Sequence, residues 1–437
     1  MPLNLRKSIF WLRDRLKGAP IKKHYKDIKR LNANHGSEHS IQKRRQHLDK
    51  ILQHCCDTVP YFRNLGIKEM RLDRFPVTNK NLIRDNREDF LSDAYLDQEN
   101  HKVTTSGSTG TPFTVVQDVD KRERHTADVH FFWEAVGHPW GTRFYYLKIW
   151  NDRNEKSKLV QELQNIVPVD AFKLDDDRIR QLLEDIRSDS GPKSILGYAS
   201  ALDSIVKYLN RRPTDMGDAN VISIIAMSET LDEPTKKALE INFDCPVASR
   251  YANMENGMLA QHTLDTPEEF LVNSASYRME ILDLEKDIPA QEGELGRIVV
   301  TDLFNRAMPM IRYDTGDYGV MALSGDNGKK LHVLQQIEGR KMDAIFDTKG
   351  EHVSSFIITN SMWKYTELKQ YQFIQVSGKE YEFKLNSDGR FERETELLDE
   401  FRGYLGKDAK ISVAYVDDIP LLSSGKRKKV LNRSRRV

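Results

Sequence analysis

The sequence predicts a large α/β domain followed by a small α+β domain. Three observations carry this. Between residues 100 and 335, short β-branched or aromatic runs (FYYLKIW at 144–150, SILGY at 194–198, VISIIAM at 221–227, CPVASRY at 245–251, GRIVVTD at 296–302) read as strands. Amphipathic stretches read as helices between them: DDRIRQLLEDIRSD at 176–189, ASALDSIVKYLNRR at 199–212 and DEPTKKALEINF at 232–243. Apolar strands interleaved with such helices predict mixed, largely parallel sheet. After IEGRKMDAIFDTKGEHV (337–353) the pattern changes to QYQFIQVSGKEYEFKLNSDGRF, alternating like a hairpin with turn signals at Ser377-Gly378 and Ser387-Asp388-Gly389, then to a helix (392–406) and the segment AKISVAYVDDIP (409–420). The expected domains are therefore 1–338, of which 1–100 is mainly helical, and a mobile lid at 339–437, with a hinge near 340–343.

Each element has a local reason. The segment SIQKRRQHLDKILQHC (40–55) carries apolar residues at helical spacing, and VPYF (59–62) interrupts it. HKV (101–103) and FTVVQD (113–118) read as two strands around TTSGSTGTP (104–112), a hairpin-like loop in which Gly107 and Gly110 permit close backbone approach. Backbone N–H groups and hydroxyls of Thr104, Thr105, Ser106, Ser108 and Thr109 are suited to converge on an anion such as phosphate. A solvated turn has the same composition, so the loop alone does not decide its use.

At 437 residues the chain accommodates two or three domains and a sizeable core. Its net charge of +1 gives no overall attraction to nucleic acid or anionic lipid. Three cysteines, two of them adjacent (Cys55 and Cys56), make neither a disulfide framework nor a zinc site, which fits a reducing, cytoplasmic setting. No apolar run is long enough to span a bilayer. The basic N-terminal segment has Leu5, Ile9, Leu12 and Leu16 at helical spacing. It reads as a first helix docked on its own domain, with weak peripheral membrane association as the alternative.

The chain contains no serine-hydrolase elbow, dinucleotide fingerprint, Walker loop or H-E-x-x-H motif. SRYANMENG places Tyr251 and Glu255 four residues apart beyond a strand, IRYDTGD flanks a Thr-Gly turn with Asp314 and Asp317, EGRKMDAI carries Arg340, and PLLSSGKRKK carries Lys426. Taken in order with the 104–112 loop, these motifs resemble the adenylate-forming enzyme superfamily, over nearly the whole chain. VPYF, FPVTNKNLIRDN (75–86) and LGYAS (196–200) resemble its phenylacetate–CoA ligase-like branch, which includes CapK-type capsular-polysaccharide proteins.

The resemblance implies ATP-dependent activation of a carboxylic acid as an acyl-adenylate, with transfer to CoA, an amino sugar or a carrier protein. It implies that Thr104 to Gly110 hold the β- and γ-phosphates and that Ser228 and Glu229 line the adenine side. Tyr251 would stack on adenine, Glu255 would ligate Mg2+, Asp317 would bind the ribose with Arg340 nearby, and Lys426 would stabilise the charge developing at the α-phosphate. A nucleotide-binding assembly protein without turnover is the rival from another class. Two departures from the family pattern stand out: Met254 replaces a hydroxyl residue beside the α-phosphate, and Met342, followed by Asp343, stands at the usual hinge. In the stretch expected to line the acyl pocket, Lys148 and Arg153 accompany Trp150, with Tyr198 at the next strand end. A charge facing that pocket predicts a polar acid; solvated charges beside an aromatic wall predict an apolar one.

Overall fold

The computed structural model describes residues 5–105, 113–150, 156–171, 174–324, 331–340, 345–353, 358, 361–365, 367–420 and 428–434. The N-terminal third is largely helical: α1 (Leu5–Leu16), α2 (Pro20–Ala33), α3 (Glu38–Thr58), α4 (Pro60–Asn64) and α5 (Lys80–Asp85), with the short β1 (Thr78–Asn79) before α5. The expected hairpin forms, β2 (Asn100–Thr105) pairing antiparallel with β3 (Phe113–Asp118) from Asn100↔Asp118 to Thr105↔Phe113. Residues 106–112 lie outside the described residues. α6 (Val119–Glu134) starts at once, because the Asp118 carboxylate accepts the Lys121 amide at 2.9 Å and caps it.

The α/β alternation read from sequence builds the next layer. β4 (Arg143–Lys148), β5 (Ile166–Asp170), β6 (Lys193–Tyr198), β7 (Val221–Met227) and β8 (Val247–Asn253) lie parallel in the order β5-β4-β6-β7-β8. Of the helices between them, α7 (Lys158–Gln164) is short, and α8 (Asp176–Ser188), α9 (Ala199–Arg211) and α10 (Glu233–Phe243) cover one face. Asp175 and Asp232 cap α8 and α10 as Asp118 caps α6. Leu147, Ile195, Ile224 and Val247 meet Leu183, Ile205 and Leu239 in that core. Burial on the order of 2 kcal/mol per such side chain holds the layer.

Beyond β8 the sheet turns antiparallel through β9 (Gly257–Gln261), β10 (Phe270–Val272), β11 (Tyr277–Leu282), β12 (Leu295–Asp302), β13 (Tyr313–Ser324) and β14 (Leu331–Arg340), in the order β8-β9-β10-β14-β13-β12-β11. The large domain is thus a mixed sheet, parallel at one end and antiparallel at the other.

From residue 345 the chain builds a separate sheet and core. β15 (Ile345–Phe346) pairs with β16 (His352–Val353); β17 (Leu368–Gln375), β18 (Glu380–Ser387), β19 (Lys410–Tyr415) and β20 (Val430–Asn432) form a four-stranded sheet in the order β19-β18-β17-β20. Phe373, Phe383 and Phe401, the last from the helix Glu394–Leu405, centre its core. The hairpin and helix expected from sequence are β17–β18 and this helix, and the 409–420 segment supplies β19. Lys429, just before β20, reaches the large domain, with its ammonium 3.5 Å from Asp203 on α9 and 3.2 Å from Asp232 at the start of α10. Burial opposes its charge, yet Asp203, Tyr371 and Asp232 hold its pKa well above the lysine value.

α1 docks differently from the simplest reading of its periodicity. Phe10 and Trp11 pack inward on Trp140, at 4.5 and 4.4 Å between ring centroids. Leu5, Ile9, Leu12 and Leu16 face out, 69, 47, 59 and 81 % exposed. The two rings bury more area than the aliphatic stripe would, so they choose the docked face.

Candidate nucleotide and acyl site

The parallel strands β4, β6, β7 and β8 end on one edge, the place where ligands bind in open α/β sheets. The chain leaves β8 through a turn in which Asn253 Oδ1 accepts the Asn256 amide at 2.8 Å. Gly257 then starts β9 at φ +112°, where an added Cβ would stand 2.5 Å from His125 Nδ1, so only glycine fits. This turn presents Tyr251 and Glu255.

The second contribution comes from β13. Gly316 at φ +78° makes the Thr-Gly turn, and its amide donates to Asp314 at 2.9 Å. Arg297 pairs with Asp314 at 2.9 Å, so that acid serves the turn and leaves the site to Asp317. The Tyr251 hydroxyl donates to Asp317 at 2.8 Å, with Thr315 Oγ1 at 3.2 Å; burial and the Asp317 charge push the phenol well above its ordinary pKa. Tyr313 Oη donates to Glu255 Oε1 at 3.3 Å, and Gln117 Nε2, from β3, holds the Glu255 backbone carbonyl at 3.1 Å. Tyr251, Glu255 and Asp317, 66 residues apart in sequence at the extremes, therefore form one cluster. Asp317 pairs in register with Arg340 of β14; the Arg340 side chain lies outside the described residues.

The β2–β3 hairpin supplies the third contribution. Thr104 and Thr114 hydroxyls share a 2.9 Å hydrogen bond, and Lys80 Nζ donates to Thr105 Oγ1 at 3.1 Å. Lys80 places a cation at the stem of the hydroxyl-rich loop, a role sequence reasoning misses because the two residues are 25 positions apart. Ser106, Gly107, Ser108, Thr109 and Gly110, like Arg153 and Lys426, lie outside the described residues.

Ser228 follows β7 in the left-handed region at φ +70°. Glu229 accepts the Ser200 amide at 2.9 Å, capping α9 where Tyr198, its N-cap residue, has no capping side chain; the other Glu229 oxygen is buried without a partner. Tyr146 donates to the Met227 sulfur at 3.8 Å, linking β4 to β7. Lys148 Nζ lies 4.1 Å from the Trp150 ring centroid and 5.1 Å from that of Tyr146, and burial together with Lys156 lowers its pKa to about 8. Lys148 thus faces the aromatic wall rather than open solvent.

Arg250, immediately before Tyr251, is the other residue missed from sequence. Its guanidinium lies deep in the molecule, Nε donates to Gln261 at 2.8 Å, and Nη2 is buried with no hydrogen-bond partner. Burial lowers its pKa to about 10, with the nearby Tyr146 phenol acting the other way. The residue nonetheless keeps some accessible surface. His125 Nδ1 is also buried and unpaired, and the Arg250 charge helps to lower its pKa, after burial, Lys121 and Arg122. A cation inside a strand pattern was the available signal; which face it takes was not legible.

Among the described residues, one group of metal-ligating type comes together, His24, Asp120 and Glu123. It is built on α2 and α6, apart from Glu255, and Arg306 stands 3.8 Å from Asp120, a competing cation. Glu255 has one described hydrogen bond to its carboxylate, from Tyr313, and so retains oxygen capacity for a hard cation.

Comparison with known proteins fits this geometry. Residues 345–433 match the CapK C-terminal domain family. Over 221 residues, 49% of the chain, the sequence is 22% identical to Protein CapK of Staphylococcus aureus; the chain spans about half the length of this curated relative, 47%. A solved 2-hydroxyisobutyryl-CoA ligase, in its postadenylation state with 2-HIB-AMP, superposes with a TM-score of 0.68 at 15% identity, covering 89% of this chain and 88% of that one. The fold is that of the adenylate-forming ligases. ATP-bound MatB from Rhodopseudomonas palustris shares it, with a TM-score of 0.55 at 18% identity over 75% of this chain and 66% of that one.

Proposed function

We propose that the chain is an AMP-forming carboxylate ligase of the phenylacetate–CoA ligase-like, CapK-containing branch. One observation supports this above the others: Tyr251, Asp317 and Glu255 converge at the carboxyl ends of the parallel strands, beside the hydroxyl-rich hairpin. An oxygen of the substrate carboxylate attacks the ATP α-phosphorus, pyrophosphate leaves, and an acyl-adenylate remains. The 104–110 loop and Lys80 cradle the phosphates, Tyr251 and Asp317 hold the nucleoside, and Glu255 would hold Mg2+, which when bound neutralises phosphate charge. Ser228, Glu229 and Arg340 complete the nucleotide pocket. Lys426 arrives with the small domain, which moves about a hinge near 340–343. The acyl group then passes to an acceptor; CoA, present with 2-HIB-AMP in a 2-hydroxyisobutyryl-CoA ligase complex, is the first candidate. An amino sugar or a carrier-protein thiol is the alternative. The setting is cytoplasmic.

In this reading the acid carries a second polar or anionic group. Buried Arg250 has no carboxylate partner among the described residues, and a charge left unpaired inside a protein is costly, so the substrate supplies the counter-charge. Matched acids with and without a terminal carboxylate, compared by pyrophosphate release, are expected to favour the carboxylated member. Arg250→Met should erase that preference by roughly tenfold to a hundredfold. A plain aryl acid emerging as the best substrate would overturn the polar pocket.

Asp317→Asn should weaken ATP binding roughly tenfold, because it removes charge-assisted hydrogen bonds present already in the ground state. Calorimetric titration with a non-hydrolysable ATP analogue reads this. Unchanged affinity with a lowered melting point would mean that Asp317 only braces Tyr251.

A further inference from the structure

We infer that α1 and α2 form a docking surface for an anionic lipid bilayer. The first 30 residues carry ten Lys and Arg against two Asp, whereas the whole chain nets only +1. The charge is therefore concentrated at one place. Both acids are turned away from the surface role: Asp14, 3 % exposed, accepts the Ile21 and Lys22 amides and caps α2, and Asp27 pairs with buried Arg124. What remains outward is basic.

The same helices present an apolar face. With Phe10 and Trp11 docked on Trp140, the stripe Leu5, Ile9, Leu12 and Leu16 is held outward at fixed geometry. Arg6 donates to the Glu162 carbonyl at 3.0 Å and brings α7 alongside. Leu159 and Leu163 on that helix are 67 and 56 % exposed, extending the aliphatic surface. A patch of this kind on a soluble fold marks a contact surface.

On the docked side of α1 lies a cleft of about 350 Å³ lined by four lysines (Lys7, Lys22, Lys26 and Lys29) around Trp11, Tyr25 and Trp140, with one acid, Glu134, that accepts from the Tyr25 hydroxyl. Lys22 Nζ sits 5.7 Å from the Trp11 ring centroid. Lys23, Lys43, Lys50 and Arg306 line a second cleft on the same helical layer, together with the acids Asp27 and Asp120. Leucines held outward to enter the acyl boundary, on a segment whose basic residues meet headgroup phosphates, form the pattern of an interfacial amphipathic helix. A protein partner with an acidic groove would answer the charge, but not the run of exposed aliphatic residues along α1 and α7. No helix of the described residues is long and apolar enough to cross a membrane, so the contact is peripheral.

The test uses the full chain and sedimentable vesicles of equal parts phosphatidylglycerol and phosphatidylcholine, against phosphatidylcholine alone. Binding should favour the anionic vesicles about tenfold or more and weaken as salt rises. Leu12→Glu with Leu16→Glu, and separately Lys22→Glu with Lys26→Glu, should each lower the bound fraction about tenfold while the melting temperature holds, since all four positions are exposed. Failure to bind anionic vesicles, or binding indifferent to both pairs, overturns the inference. So does a concentration-dependent dimer in sedimentation velocity that the leucine pair abolishes, because a second copy would then cover the stripe.

Discussion

Lys426→Ala is expected to slow adenylation about a hundred-fold or more while leaving ATP affinity nearly unchanged. A cation aimed at charge that develops only in the transition state is worth roughly 3 kcal/mol in the barrier and little in ground-state binding. The lysine itself lies outside the described residues. Three residues later, Lys429 bonds Asp203 and Asp232, on the helices that cover the parallel sheet, and β20 then joins the small sheet beside β17. Single-turnover pyrophosphate release at saturating ATP separates the two outcomes. Near-wild-type release by Lys426→Ala would mean that the GKRKK stretch is a solvated basic segment, and the assignment would end there.

β4, β6, β7 and β8 were legible because they are continuous apolar runs separated by the amphipathic helices α8, α9 and α10; α6, α7 and β5 were not read, β5 being a short run with a proline at its centre. The hairpin around residues 106–112 was legible for a similar reason, glycines between two β-branched runs. What resisted reading depends on direction rather than pattern. Lys80 meets Thr105 only through tertiary packing, and nothing in TNKNL foretells it. Arg250 sits one residue from a motif tyrosine, yet sequence does not say whether such a strand residue turns inward. In α1 the period of the apolar residues was clear, but two overlapping faces competed, and the aromatic one docked. Asp314 and Asp317 look equivalent in IRYDTGD; Arg297, 17 residues before Asp314, separates them by taking one.

A steep loss of stability on mild acidification is the other large expected effect. His138, His35 and His262 are 2, 5 and 8 % exposed and neutral in the folded chain. Burial, then Arg250, lowers His138 to about 3; burial, then Arg44 and His332, lowers His35 to about 4; burial, then Lys236, lowers His262 to about 4. The unfolded chain takes up a proton at each near pH ~6.5, whereas the folded one does not until near pH ~4. Their contribution is thus complete above the unfolded value, falls as pH drops between about 6.5 and 4, and is flat below. Each contributes a slope of ~1.4 kcal/mol per pH unit, about 4 kcal/mol per unit for the three, against a typical total stability of 5 to 15 kcal/mol, so about one pH unit of acidification removes much of it. Asp128 acts oppositely, since burial raises its carboxyl above the usual range, and it tempers the fall only where that acid titrates. His262 offers the cleanest variant: both ring nitrogens are buried without partners and the ring packs 4.2 Å from Phe270. His262→Phe should keep the fold at neutral pH and reduce the slope by about 1.4 kcal/mol per pH unit, its own contribution beside those of the other buried histidines. Urea unfolding measured from pH 7.5 down to about pH 5 covers the part of the window where ordinary carboxylates stay ionised. A free energy of unfolding that stays flat across that range would show that these imidazoles gain protons in the folded state.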